Sequence, residues 1–182
     1  MNHLTNIYYF IEDFNRNEIL NLDKKIIIIL RNYKLDQQEP LIRKIKDFCR
    51  RQRRQLFISN NLKLALKLNL DGLYIPSFNK LLKYKNIDKK NFRLIGSAHN
   101  KTELQIKKLQ GCNHIFISPI LKTNKYKSYL GISKFNMINL ENTVPIIALG
   151  GLNYMNLKKL QLTKSFGFAS ISWIKKNQPK RI

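Results

Sequence analysis

The chain has 182 residues, 43% of them hydrophobic, and 34 Lys+Arg against 11 Asp+Glu, for a net charge of +23 and a pI of about 10.2. That length suits one core and one domain, and the charge suits an anionic partner, whether nucleic acid or a phosphorylated small molecule, as much as it suits a plain lysine-rich solvated surface. The apolar runs are far shorter than a bilayer span. Met1 to Phe14 carries Glu12 and Asp13 and no leader pattern, so a cytoplasmic protein is expected, with no membrane partner.

In chain order, short β-rich runs alternate with stretches of helical spacing. The eight expected strands are Ile7–Ile11, Lys25–Leu30, Gln55–Ser59, Gly72–Ile75, Arg93–Gly96, His114–Ser118, Pro145–Leu149 and Gly167–Ile171. Runs such as Ile26-Ile27-Ile28-Ile29-Leu30 are continuously apolar, as strands covered on both faces require. Between them, Leu41-Ile42-Ile45-Phe48 and Leu62-Leu64-Ala65-Leu68 place apolar residues on one helical face. Eight βα units predict an α/β fold, a compact (β/α)8 TIM barrel over residues 1–182, with short helices and a final helical stub from Ser172.

Three features fall outside that frame. Cys49 and Cys112 have no partner at metal-ligand spacing and are expected as reduced, buried thiols. Arg50, Arg51, Arg53 and Arg54 end an expected helix from about Glu39, where cations complement the exposed carbonyls. Pro119 to Ser133 is a long polar connection after the sixth strand, the kind of segment that forms a lid or stays irregular.

Barrels place their chemistry past the C-terminal strand ends. The polar residues there are Arg31, Asn60, Asn79, Ser97 and His99, Thr123, Gly150-Gly151 and Ser172, each also readable as an ordinary turn or cap. The pair after strands seven and eight is the more informative, because backbone N–H groups and a helix N-terminus there commonly hold a phosphate.

Taken together, the motifs resemble the thiamine phosphate synthase/TenI family. Ile95-Gly96-Ser97-Ala98-His99 resembles that family's fifth-strand ending, and Ser118-Pro119-Ile120-Leu121-Lys122-Thr123 its Gly-Pro-Ile-Phe-x-Thr loop. Ile147-Ala148-Leu149-Gly150-Gly151-Leu152-Asn153 resembles Ala-Ile-Gly-Gly-Ile-Asn, and Ala169-Ser170-Ile171-Ser172 resembles Ala-Val-Val-Ser. Ala65 through Asp71-Gly72-Leu73-Tyr74 and the second-strand Arg31 extend the likeness.

The resemblance implies a transferase of thiamine biosynthesis that joins hydroxymethylpyrimidine diphosphate to thiazole phosphate and releases pyrophosphate. It implies phosphate binding by Gly150, Gly151 and Ser172, and catalytic contacts from Arg31, Ser97 and Thr123, with Lys122, Lys125 and Lys127 near the departing pyrophosphate. It also implies Mg²⁺, at positions that here are Asn60 and Asn79 in place of two aspartates. Neutral amides make a poorer site for a hard cation. The family's Gln-x-Arg-x-Lys has become Ile29-Leu30-Arg31-Asn32-Tyr33, and Pro119 stands where the TenI branch places a catalytic His. The alternative is therefore a non-catalytic, phosphate-ligand-binding TenI-like paralogue. No motif that would read a specific nucleic acid is present.

Overall fold

A computed structural model describes residues 6–33, 39–87, 89–124, 128–140, 142–153 and 155–170. Eight parallel strands close a barrel in chain order: β1 (Asn6–Ile11), β2 (Ile27–Leu30), β3 (Leu56–Ser59), β4 (Gly72–Ile75), β5 (Arg93–Ala98), β6 (His114–Ile117), β7 (Ile146–Leu149) and β8 (Gly167–Ser170). Closure is made where β1 pairs with β8, with Tyr8 beside Ala169. The expected strands are all present, within one or two residues at each end. Helices α1 (Arg16–Leu20), α2 (Glu39–Arg51), α3 (Leu62–Lys67), α4 (Lys101–Leu109) and α5 (Gly131–Leu140) surround it, with a 3₁₀ helix at Leu157–Leu162 after β7. Among the described residues the connection from β4 to β5 is made of turns, without a helix.

Two cores follow from the alternation of side chains along each strand. Inside the barrel lie Tyr8, Phe10, Ile29, Phe57, Tyr74 and Phe116 with their smaller neighbours. Between sheet and helices lie Ile28, Ile45, Phe48, Leu73 and others, which is why the strands read as unbroken apolar runs. The interior is filled by large rings: Phe10 meets Tyr74 and Phe116 edge-on at centroid distances of 5.2 and 5.6 Å. Gly72 makes room for this filling, since a Cβ there would lie 2.3 Å from the Phe57 ring.

The short helices are held by local caps. Asn15, Asn61 and Asn100 accept from Glu18 N, Leu64 N and Glu103 N at the starts of α1, α3 and α4. The arginine cluster divides in two. Arg50 and Arg51 close α2 as expected, whereas Arg54 is buried and serves a different helix, donating to Ile19 O, Leu22 O and Asp23 O at the carbonyl end of α1. Sequence proximity suggested α2; the turn at Arg53, with φ of +53°, swings Arg54 across to α1. Cys49 and Cys112 are buried free thiols, and burial pushes both up to about 12. Among the described residues no helix is long and apolar enough to cross a membrane.

Candidate functional site

Parallel closure brings the C-terminal ends of the strands, and with them most of the residues named from sequence, to one rim. Arg31 follows β2 and is anchored by its N–H to Ile11 O at 2.8 Å. Its guanidinium lies 5.1 Å from the Phe10 ring centroid and 3.4 Å from Glu12 Oε1, over the aromatic filling of the barrel. Ser97, on β5, is buried and accepts from Tyr74 Oη at 2.9 Å. Arg31 and Ser97 are thus linked through Phe10 and Tyr74, whose rings touch.

The loops after β5, β6 and β7 are laced together. His99 Nδ1 meets Ser118 O at 2.7 Å, Ile120 N donates to Leu149 O at 2.9 Å, and Leu121 N donates to Gly150 O at 3.2 Å. The Ser118–Pro119 peptide in this loop is cis. Gly150 and Gly151 have φ of +88° and +77°, a conformation that side chains with a Cβ resist. A Cβ on Gly150 would lie 2.9 Å from Ser118 Oγ, and one on Gly151 2.4 Å from Leu121 O. The glycines therefore serve loop packing as well as any ligand. Neither backbone N–H is given to another described residue. Thr123, half-buried, follows Lys122, whose carbonyl flanks Gly151, so the β6 loop brings Thr123 beside the double glycine. Ser172, Lys125 and Lys127 lie outside the described residues.

Asn60 and Asn79 come together across the ends of β3 and β4. Asn79 Nδ2 donates to Asn60 Oδ1 at 2.5 Å and to Tyr84 Oη at 2.7 Å, while its Oδ1 accepts from Leu81 N at 3.0 Å. This pair does not fit Mg²⁺: the atom Asn79 presents to Asn60 is an N–H donor, and its oxygen is turned away. Among the described residues no group of three His, Cys, Asp or Glu side chains could hold a metal ion. Beneath the loop, Lys107 of α4 is fully buried and donates to Pro76 O, Asn79 O and Gln110 Oε1 at 2.7, 2.7 and 2.9 Å. Burial draws its ammonium down to about 8.

Sequence reading missed Tyr74, Tyr84, Lys107 and Gln110. The one available signal was the position of Lys107, three residues after Leu104 on the helix face that meets the sheet.

Comparison with known proteins gives the family and the fold. The family model described as "Thiamine monophosphate synthase" matches residues 18–174. A thiamine-phosphate synthase of Prochlorococcus marinus is 30% identical over 122 residues, 65% of this chain and 35% of that one. That of Pelagibacter ubique is 33% identical over 137 residues, 71% of this chain and 64% of that one. The chain thus spans from about a third to under two thirds of the length of these relatives. The solved thiamine phosphate pyrophosphorylase from Pyrococcus furiosus superposes with a TM-score of 0.79 at 15% identity, covering 98% of this chain and 94% of that one, and shares its fold. With the matched region reaching from α1 to beyond β8, the chain belongs to the thiamine monophosphate synthase/TenI family.

Proposed function

We propose that this protein is a thiamine phosphate synthase that couples hydroxymethylpyrimidine diphosphate to thiazole phosphate. In this reaction the thiazole nitrogen forms a C–N bond to the pyrimidine methylene as the C–O bond to diphosphate breaks, and the bonding pair leaves with pyrophosphate. The observation that carries the reading is the turn after β7, where two successive left-handed glycines lie against the β6 loop with N–H groups that no described residue accepts. Such paired amides suit a phosphate monoester. Gly150, Gly151 and Ser172 take the thiazole phosphate.

Arg31, Ser97 and Thr123 serve the other substrate. The Arg31 guanidinium, held over Phe10, is a fixed positive charge for the diphosphate, and a charge already in place when the C–O bond breaks lowers the barrier to departure. Ser97 has its oxygen taken by Tyr74, which leaves its proton to be donated to the pyrimidine.

The bonded Asn60–Asn79 pair favours one second reading, a non-catalytic binder of phosphate ligands. Thiamine phosphate formation from both substrates, measured beside calorimetry of thiazole phosphate binding, separates the two. Turnover supports the synthase; tight thiazole phosphate binding without turnover supports the binder. Unchanged thiazole phosphate affinity in Gly151→Asp, which sets a carboxylate against the anion, would overturn the phosphate site itself.

A further inference from the structure

The ends of β3 and β4 are bridged by the protein's own side chains where the family resemblance leads one to expect a divalent cation. The orientation of the bridge is fixed by its neighbours. Leu81 N–H can only donate, so the group 3.0 Å from it is the oxygen of Asn79, and the amide nitrogen faces Asn60. Asn60 has φ of +60° and is tied by its N–H to Tyr74 O at 2.9 Å. With its Oδ1 taken by Asn79, its remaining polar side-chain atom is Nδ2, which has no partner among the described residues.

Helix α4 braces this arrangement from below. Lys107 Nζ and Gln110 Nε2 both donate to Asn79 O, at 2.7 and 3.0 Å, and Gln110 Nε2 reaches Leu81 O at 2.8 Å. All three acceptors of the Lys107 ammonium are neutral oxygens, and among the described residues no carboxylate lies within ion-pair distance of it. A buried cation so placed keeps its field in a medium that screens poorly, and that field favours an anion at the rim.

We infer that this network stands in for the metal ion: the rim binds diphosphate oxygens directly, without a divalent cation. Asn60 Nδ2 is the donor, Asn79 orients Asn60, and Lys107 is the positioning residue that fixes the β4 loop and supplies positive charge behind it. The inference rests on the synthase reading for the identity of the diphosphate, but its test needs only inorganic pyrophosphate.

The experiment is calorimetry of pyrophosphate with the full chain in EDTA, beside electron paramagnetic resonance of Mn²⁺ with protein and pyrophosphate. The expected result is pyrophosphate binding in EDTA and no protein-dependent change in the Mn²⁺ spectrum. Asn60→Gly, which keeps the left-handed backbone unstrained, is expected to weaken pyrophosphate by about tenfold, the loss of one charge-assisted hydrogen bond. Lys107→Met should weaken pyrophosphate while leaving thiazole phosphate affinity unchanged, a split that general loosening of the fold would not produce. If that variant does not fold, Asn60→Asp with Asn79→Asp decides: it should lose pyrophosphate in EDTA and recover it with Mn²⁺. Pyrophosphate binding by the natural chain only when metal is added overturns the inference, as does wild-type affinity in Asn60→Gly, or no pyrophosphate binding in either buffer. Thiazole phosphate is titrated in parallel. Its failure to bind, with pyrophosphate still bound in EDTA, would count against the proposed function and leave this inference standing.

Discussion

Tyr74 Oη and Ser97 Oγ, from adjacent strands, share a hydrogen bond of 2.9 Å in the filled mouth of the barrel, where each residue is only 4% exposed. Removing the Tyr74 hydroxyl takes this partner from the buried Ser97, and removing the Ser97 hydroxyl takes this bond from Tyr74. Tyr74→Phe and Ser97→Ala are each expected to cost about 1–3 kcal/mol in urea denaturation. The double variant should cost clearly less than the sum of the two, because both single variants lose the same bond. Strict additivity would show that the two hydroxyls are not coupled.

Arg54, just past the end of α2, reaches back 31 to 35 residues to the end of α1, its guanidinium donating to Ile19 O at 3.1 Å and to Leu22 O and Asp23 O. Arg54→Met removes a buried cation and strands the carbonyls, and a loss of about 2–4 kcal/mol is expected by chemical denaturation. Arg54→Lys should recover only part of it, since one ammonium cannot reproduce the planar fork. A near-neutral Arg54→Met would mean that water satisfies the end of α1 equally well.

His114 lies under the barrel with Nδ1 2.7 Å from Tyr8 Oη, and burial, aided by the nearby Arg93 charge, draws its ring from 6.5 down to about 4. Between those values the unfolded chain takes up a proton that the native ring refuses. Stability is therefore full above about pH 6.5 and falls as the pH drops toward 4. The expected loss is about 2 kcal/mol, less than the full shift implies, because the ring is only partly buried. Melting temperatures of the natural chain and His114→Gln across that range test it: the variant should show a shallower slope, and parallel slopes would contradict it.

Gly151→Ala sets a Cβ 2.4 Å from Leu121 O at a residue with φ of +77°. Backbone strain and the clash act together, and a loss of about 1–3 kcal/mol is expected. The β6 loop should shift with it, so thiazole phosphate affinity should fall as well. Gly131→Ala is the comparison, because Gly131 also has a left-handed φ, of +75°, with open space around its Cβ position. Equal losses in the two variants would show that strain alone, without loop packing, accounts for the effect.

The sequence by itself determined the barrel. Continuous apolar runs such as Ile26 to Leu30 can be satisfied only by strands covered on both faces, and eight expected strands separated by helical spacing leave little but a closed parallel sheet. It also determined which rim would carry polar residues, because Arg31, Ser97 and Gly150-Gly151 each stand at a strand's end, and parallel strands place all their ends together. The tertiary structure decided what local pattern cannot encode, namely pairings between residues far apart in the chain. Arg54 reaches α1 because a left-handed turn at Arg53 redirects it, although the same four arginines read as the end of α2. Lys107 reads as one more lysine on a basic helix, yet its four-carbon stem crosses under the β4 loop to carbonyls 28 and 31 residues away. Asn60 and Asn79 could be seen as two missing carboxylates. That they bond to one another, nitrogen facing oxygen, depends on Leu81 N–H and Tyr84 Oη and is fixed only when the loop is folded over α4.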